Sequence, residues 1–291
     1  MQNDQGFRDR PTSDDLRTIV AKWQLTTDLG DQLDADGQLV TGDSSHESFD
    51  RAWAALLTGR LDEAESEFES SATSRGAAQD FVGWGDVFAT RGNWQRAAEL
   101  YEQALRTAPD DPVARVGMAQ AMVATGRAEI AVAKLERLVG ERDDRLCRHY
   151  LASALWSWTT QARSMTRDRV LFIANEHQLD ICASAARRIV ELEPSGTELG
   201  SAAGYLLDEI TEGGRWKWDR VPVAGTLATL VALVGIAAVV FGGLAGNIPL
   251  VVAAVLGAPL LLAIVIRFRR PVWRVRAEQL RPRVWYEGVT G

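Results

Sequence analysis

A chain of 291 residues with 46% apolar composition is too hydrophobic to be disordered throughout, and long enough for one large or two modest cores. Its formal charge of -7 is unevenly spread: residues 215–291 carry ten Arg or Lys against three Asp or Glu, and the acidic remainder would repel phosphate, which excludes nucleic acid as an expected partner. Cys147 and Cys182 stand far apart and outside metal-ligand spacing, so neither a disulfide framework nor a metal site is expected and both read as reduced core residues.

Residues 1–44 read as a mobile N-terminal arm rich in Asp, Gln, Gly and Thr. One short helix is predicted within it, over 14–24, where Leu16, Ile19, Val20 and Trp23 share a face. Met1 to Arg10 is polar and lacks the apolar stretch of a secretory signal, so the N-terminal domain is expected in the cytoplasm. Lysine occurs only at 22, 134 and 217, with arginine elsewhere, which points to a GC-rich bacterial coding sequence.

From residue 45 the chain repeats itself. Gly59, Gly92 and Gly126 are 33 and 34 residues apart, and the same intervals relate Ala64, Ala97 and Ala131, and Phe68, Tyr101 and Leu135. In the unit 78–111, Phe81, Val82, Trp84, Val87 and Phe88 mark one helix, Gly92 turns the chain, and Asn93 caps a second helix carrying Trp94, Ala97, Ala98, Tyr101, Ala104 and Leu105 until Pro109. Gly85 and Ala97 are small enough for the two helices to cross closely. Units 45–77 and 112–145 are weaker copies. A fourth, 146–195, is split: its second helix, before Pro194, arrives late, and 159–174 is expected either to lengthen the helices or to protrude as a loop. A capping helix is predicted over 197–212, with Leu199, Leu206, Leu207 and Ile210 on one face.

Trp84, Gly85, Phe88, Gly92, Ala97, Tyr101, Ala104 and Pro109 together resemble the signature of the tetratricopeptide-repeat family. The resemblance covers residues 45–213. It implies an all-α solenoid of helical hairpins, stacked into a right-handed superhelix whose concave groove holds a partner's peptide or helix. By the family register the groove positions are Phe49, Trp53, Val82, Asp86, Val116, Gln120 and Tyr150. Members that clamp acidic chaperone C-termini carry Lys, Asn and Arg where this chain has Phe49, Trp53, Gly83, Val113 and Gly117, so that activity is not expected.

Residues 221–266 contain no charged side chain. A single helix of that length would run about 69 Å, more than twice the ~30 Å of a bilayer core, so a transmembrane hairpin is predicted within 214–270. Gly242, Gly243, Gly246, Asn247 and Pro249 break it into spans near 222–241 and 249–266. Arg215, Lys217 and Arg220 before the pair, and Arg267, Arg269, Arg270, Arg274 and Arg276 after it, put both ends in the cytoplasm of an integral protein of the plasma membrane. Trp216, Trp218, Phe268 and Trp273 are placed to anchor it at the lipid interface. Residues 271–291 read as a basic cytoplasmic tail.

No phosphate-binding glycine loop, paired-histidine spacing or Gly-x-Ser-x-Gly elbow occurs, and His46, His149 and His177 are scattered. No enzyme activity and no cofactor are therefore expected. The expected function is a membrane-anchored scaffold that binds a protein or peptide partner, with membrane lipid as its second contact, and recruits that partner to the cytoplasmic face. Two rivals stand beside it. The N-terminal helix around Leu16 to Trp23 fills the groove itself, or the hairpin is the working part, in an accessory subunit of a transport or envelope-assembly complex.

Overall fold

The computed structural model describes residues 19, 21–25, 47–193, 196–218, 221–246, 249 and 269–290, and gives backbone alone at 216–218, 221–225, 227, 228, 269 and 270. The rest of the arm expected at 1–44 and the second span expected at 249–266, beyond Pro249, lie outside the described residues, as do Arg267 and Phe268. Contacts divide the chain into two units, one of residues 1–161 and 185–203, the other of residues 162–184 and 204–291.

The first unit is built from helical hairpins: α1 (Glu47–Leu57) with α2 (Leu61–Ser74), α3 (Ala78–Thr90) with α4 (Trp94–Thr107), and α5 (Pro112–Ala124) with α6 (Ala128–Glu141). Each hairpin turns at one member of the glycine column, and Gly59, Gly92 and Gly126 have φ of 75°, 78° and 81°. A side chain with a Cβ is strained in that left-handed conformation, so the column is a backbone requirement. Two helix starts are capped from the side chain of the N-cap residue: Asn93 accepts from the Arg96 amide at 3.2 Å, and Asp111 accepts from the Val113 amide at 2.8 Å with Pro112 in the first helical turn. At the start of α3, buried Asp80 accepts from the Ala77 amide at 3.1 Å, from Ser71 Oγ at 2.8 Å and from the Arg75 guanidinium.

The repeated apolar columns are the core. Ala64, Ala97, Ala131, Phe68 and Tyr101 are fully buried and Leu135 nearly so. A Cβ on Gly85 or Gly117 would stand 2.7 or 2.8 Å from the Tyr101 ring, so α3 and α5 approach α4 only because both positions lack one. Beyond the hairpin pairs themselves, α1 contacts α3 and α3 contacts α5, so the first helices of successive repeats form one continuous layer. Next along the chain come α7 (Arg145–Ala162), α8 (Glu176–Leu192) and α9 (Glu198–Gly213), the last with its first turn capped by Thr197 Oγ1 at 3.1 Å from the Gly200 amide.

The second unit adds short strands to the helices of the chain. The inserted stretch both lengthens α7 and forms a β-hairpin, β1 (Ser164–Thr166) with β2 (Leu171–Phe172), turning at Arg169 with φ of 61°. The C-terminal residues are folded, as α11 (Val272–Leu280), a 3-10 turn over Arg281–Arg283 and strand β5 (Val284–Tyr286), which adds antiparallel to β1 in the order β2-β1-β5. Val289 then donates to Ala162 O at 3.0 Å, and its carbonyl accepts from Asn175 Nδ2 and from Gln178 Nε2, each at 3.1 Å. The tail is held because it satisfies polar groups that the insertion would otherwise bury unpaired. Strand β3 (Trp216–Trp218) pairs antiparallel with β4 (Arg269–Pro271), so the backbones that bracket the uncharged run lie side by side.

Between β3 and β4 in sequence, α10 (Val221–Leu244) is helical for 24 residues without a charge and ends at Gly246, whose φ is 58°. Among the described residues no helix is long and apolar enough to cross a membrane; the side chains of α10 are described without a break only over 229–244.

Candidate partner-binding groove

The layer formed by α1, α3 and α5 is concave-side surface in the sequence reading, and it is covered by residues 19 and 21–25 of the same chain. Lys22–Leu25 forms a short 3-10 turn against α5, and Ile19, Trp23 and Leu25 are buried with it. The Trp23 indole lies between the aromatic side chains of α1, 5.0 Å from Trp53 and 5.9 Å from Phe49 between ring centroids, and Phe49 meets Phe68 edge-on at 5.7 Å. Tilted and edge-on geometries place ring edges on ring faces, the favoured electrostatic arrangement.

Below the aromatic cluster is a buried ion pair. Lys22 and Asp86 are both fully buried and bonded through Nζ and Oδ1. Asp86 also accepts from Trp23 Nε1 at 2.7 Å and from the Tyr101 hydroxyl at 2.7 Å, and Lys22 Nζ lies 3.2 Å from that hydroxyl and 4.6 Å from the Tyr101 ring centroid. One carboxylate therefore meets three donors, two of them from the N-terminal segment. Burial pushes the Asp86 carboxyl up and the Lys22 ammonium down, each opposed by the other's charge. Burial, and then the charge of Asp86, push the Tyr101 hydroxyl well up. The segment is further held at Leu25, whose carbonyl accepts from Arg142 at 3.4 Å.

Of the predicted groove residues, Phe49, Trp53 and Asp86 touch the N-terminal segment directly. Val82 and Val116 are fully buried, and Tyr150, 6% exposed, has its hydroxyl pushed up by burial and by Asp86. Gln120 is half-buried, and among the described residues its Oε1 has no hydrogen-bond partner. Lys22 and Tyr101 were missing from the sequence-derived site. Two signals pointed to Lys22: it is one of three lysines in the chain, and it interrupts an apolar stretch that ends in Trp23. Tyr101 was legible only as a repeat column.

Of the predicted anchoring residues, Trp216, Trp218, Arg269 and Arg270 are described by their backbone, in β3 and β4, while Arg267 is outside the described residues. Trp273 is half-buried in α11, with the Arg274 guanidinium 5.5 Å from its ring centroid. Among the described residues, no group of three His, Cys, Asp or Glu side chains is placed to hold a metal ion. Cys147 and Cys182 are free and buried.

No curated protein matches the chain. Similar solved structures include MamA, from residue 41 to its end, of Desulfovibrio magneticus RS-1, at 17% identity and a TM-score of 0.45 over 59% of this chain and 91% of that one. YrrB, described as a TPR protein with an unusual peptide-binding site, is 19% identical with a TM-score of 0.39, over 54% of this chain and 73% of that one. TTC0263, a thermophilic TPR protein of Thermus thermophilus, is 14% identical with a TM-score of 0.42, over 67% of this chain and 97% of that one. A tetratricopeptide-repeat family model matches residues 89–153 of this chain, from the end of α3 into α7.

Proposed function

We propose that this chain is a non-enzymatic repeat scaffold whose groove receives a short segment of a protein partner, and that its uncharged C-terminal run holds it on the cytoplasmic face of a membrane. The observation that carries the first part is the seating of residues 19–25 across α1 and α5, with an indole and an ammonium satisfied by groove side chains. A surface that accommodates a peptide of its own chain has the width and polarity to accommodate another's.

The second part is supported by α10. Leu230, Leu233, Val234, Ile236, Val240 and Phe241 are all at least half exposed, and no charged or strongly polar face balances them. A helix apolar on every side is at home in lipid or in a protein core, and an exposed surface of this kind facing water is unfavourable. The β3–β4 pairing adds that the two flanks of the run leave and return together, as a hairpin requires. The basic residues of those flanks orient both ends toward the cytoplasm.

The test places a photo-crosslinking residue at position 120 in the groove, and at exposed position 102 as a control, in the full chain expressed in cells. A discrete adduct from position 120 alone, recovered in membranes that resist carbonate extraction, is the expected result. Adducts from both positions, or none, would remove the groove from the reading, and release of the chain by carbonate would remove the anchor.

A further inference from the structure

Resting on the groove reading above, we infer that residues 19–25 are a built-in ligand of this groove and that the external partner presents the same chemistry: a lysine followed by an indole, flanked by aliphatic residues. The recognition is set by the floor, not by the segment. Asp86 and Tyr101 belong to α3 and α4, and Phe49 and Trp53 to α1, so these four side chains stay in place whoever supplies the cation and the ring.

Three features fit a ligand better than a structural strut. The segment, helical at Ile19 and Ala21 and a 3-10 turn over Lys22–Leu25, belongs to no repeat hairpin. The side-chain contacts that seat it run to residues 63, 64 and 79 positions away, so its place on the groove is set by distant side chains. The two groups it contributes to Asp86, an ammonium and an indole N–H, are both terminal atoms of long side chains, which an unrelated peptide can reproduce without copying the backbone. The buried carboxylate makes the selection strict: a peptide that fills the aromatic cluster and lacks the cation leaves Asp86 desolvated and short of its counter-charge.

The tether explains why the groove is closed at rest. The segment is covalently part of the chain, so its seating is intramolecular and a free peptide of equal intrinsic affinity competes poorly. A partner opens the groove by binding more tightly or by being concentrated on the same surface.

The experiment uses the full chain in detergent micelles and a fluorescein-labelled peptide of residues 16–28. In the Lys22→Ala/Trp23→Ala chain, whose segment no longer competes, the peptide is expected to bind at least about tenfold more tightly than to the unaltered chain. The same peptide with Lys22→Met is expected to lose at least about tenfold of that affinity, as an unpaired buried carboxylate demands. Helix content by circular dichroism checks that the altered chain is folded. A second arm avoids the substitutions: a protease site is placed within 30–36 and cut after folding, and the freed N-terminal fragment is then expected to exchange with excess labelled peptide. Equal binding of the Lys and Met peptides, or no binding and no exchange by folded protein, overturns the inference. A dimer that becomes monomeric on Lys22→Ala/Trp23→Ala also overturns it, because the segment would then serve a second copy. In each of these failures the position-120 adduct of the preceding test still reports on the groove.

Discussion

The α3–α4 hairpin and the β1–β5 pair illustrate two ways in which this chain makes structure. In the hairpin the residues that meet are near in sequence: Asp86 and Tyr101, Gly85 and Tyr101, Asn93 and the Arg96 amide. In the sheet, three-residue strands from opposite ends of a long stretch come together, Met165 against Tyr286 and Thr166 against Val284. The first kind of contact leaves a periodic trace, and it costs little chain entropy to close. The second leaves almost none. The N-terminal segment is the exception within the repeat unit, because Lys22 reaches Asp86 over 64 residues.

That exception gives the largest expected effect. Lys22→Met leaves Asp86 buried without its counter-charge and should lower stability by about 3–5 kcal/mol in chemical denaturation, while Lys22→Met/Asp86→Leu should recover most of the loss. The pH dependence has a definite sign. Burial raises the Asp86 carboxyl above its unfolded value, so the folded state binds a proton more tightly and the penalty of Lys22→Met should shrink as pH falls toward and through the ordinary carboxylate range. A deficit independent of pH would mean that the ion pair does not set the energetics of the segment.

Removing residues 284–290 probes the other side of the comparison. Gln178, 1% exposed, loses the Val289 carbonyl and β1 loses an edge partner, at a cost of about 1–3 kcal/mol. Hydrogen exchange at Met165 and Thr166 should accelerate while amides of Leu100 and Tyr101 keep their protection. Loss of protection in both places would show that the distinction between local and distant contacts does not describe the stability of this chain.

Gly85→Ala is expected to cost about 1–3 kcal/mol, since its Cβ would stand 2.7 Å from the Tyr101 ring. Gly140→Ala, with nothing within 4 Å in the last turn of α6, should instead stabilise by about 0.5–1 kcal/mol. Thermal or denaturant midpoints of the two variants therefore move in opposite directions. A local effect comes from Asn93→Ala, which removes the cap of α4 and should cost about 1 kcal/mol, read as faster exchange in the first turn of that helix.

Within the repeats, the helical hairpins were already legible in the order of residues, because glycine columns and apolar spacing are consequences of backbone conformation and helix geometry that act over a few positions. Gly59, Gly92 and Gly126 had to be where the backbone turns left-handed, and Ala97 and Tyr101 where two helices cross. The same register supplied the expected groove positions, on the first helices. The apolar face of Leu16 to Trp23 had offered that segment as an occupant, but the burial of Lys22 against Asp86 emerges only in the folded chain, since a charged side chain in an isolated segment is expected to face water. The folding of the tail onto the insertion belongs with it. Three-residue strands have no period long enough to read, and their pairing is chosen by which distant backbone groups remain to be satisfied.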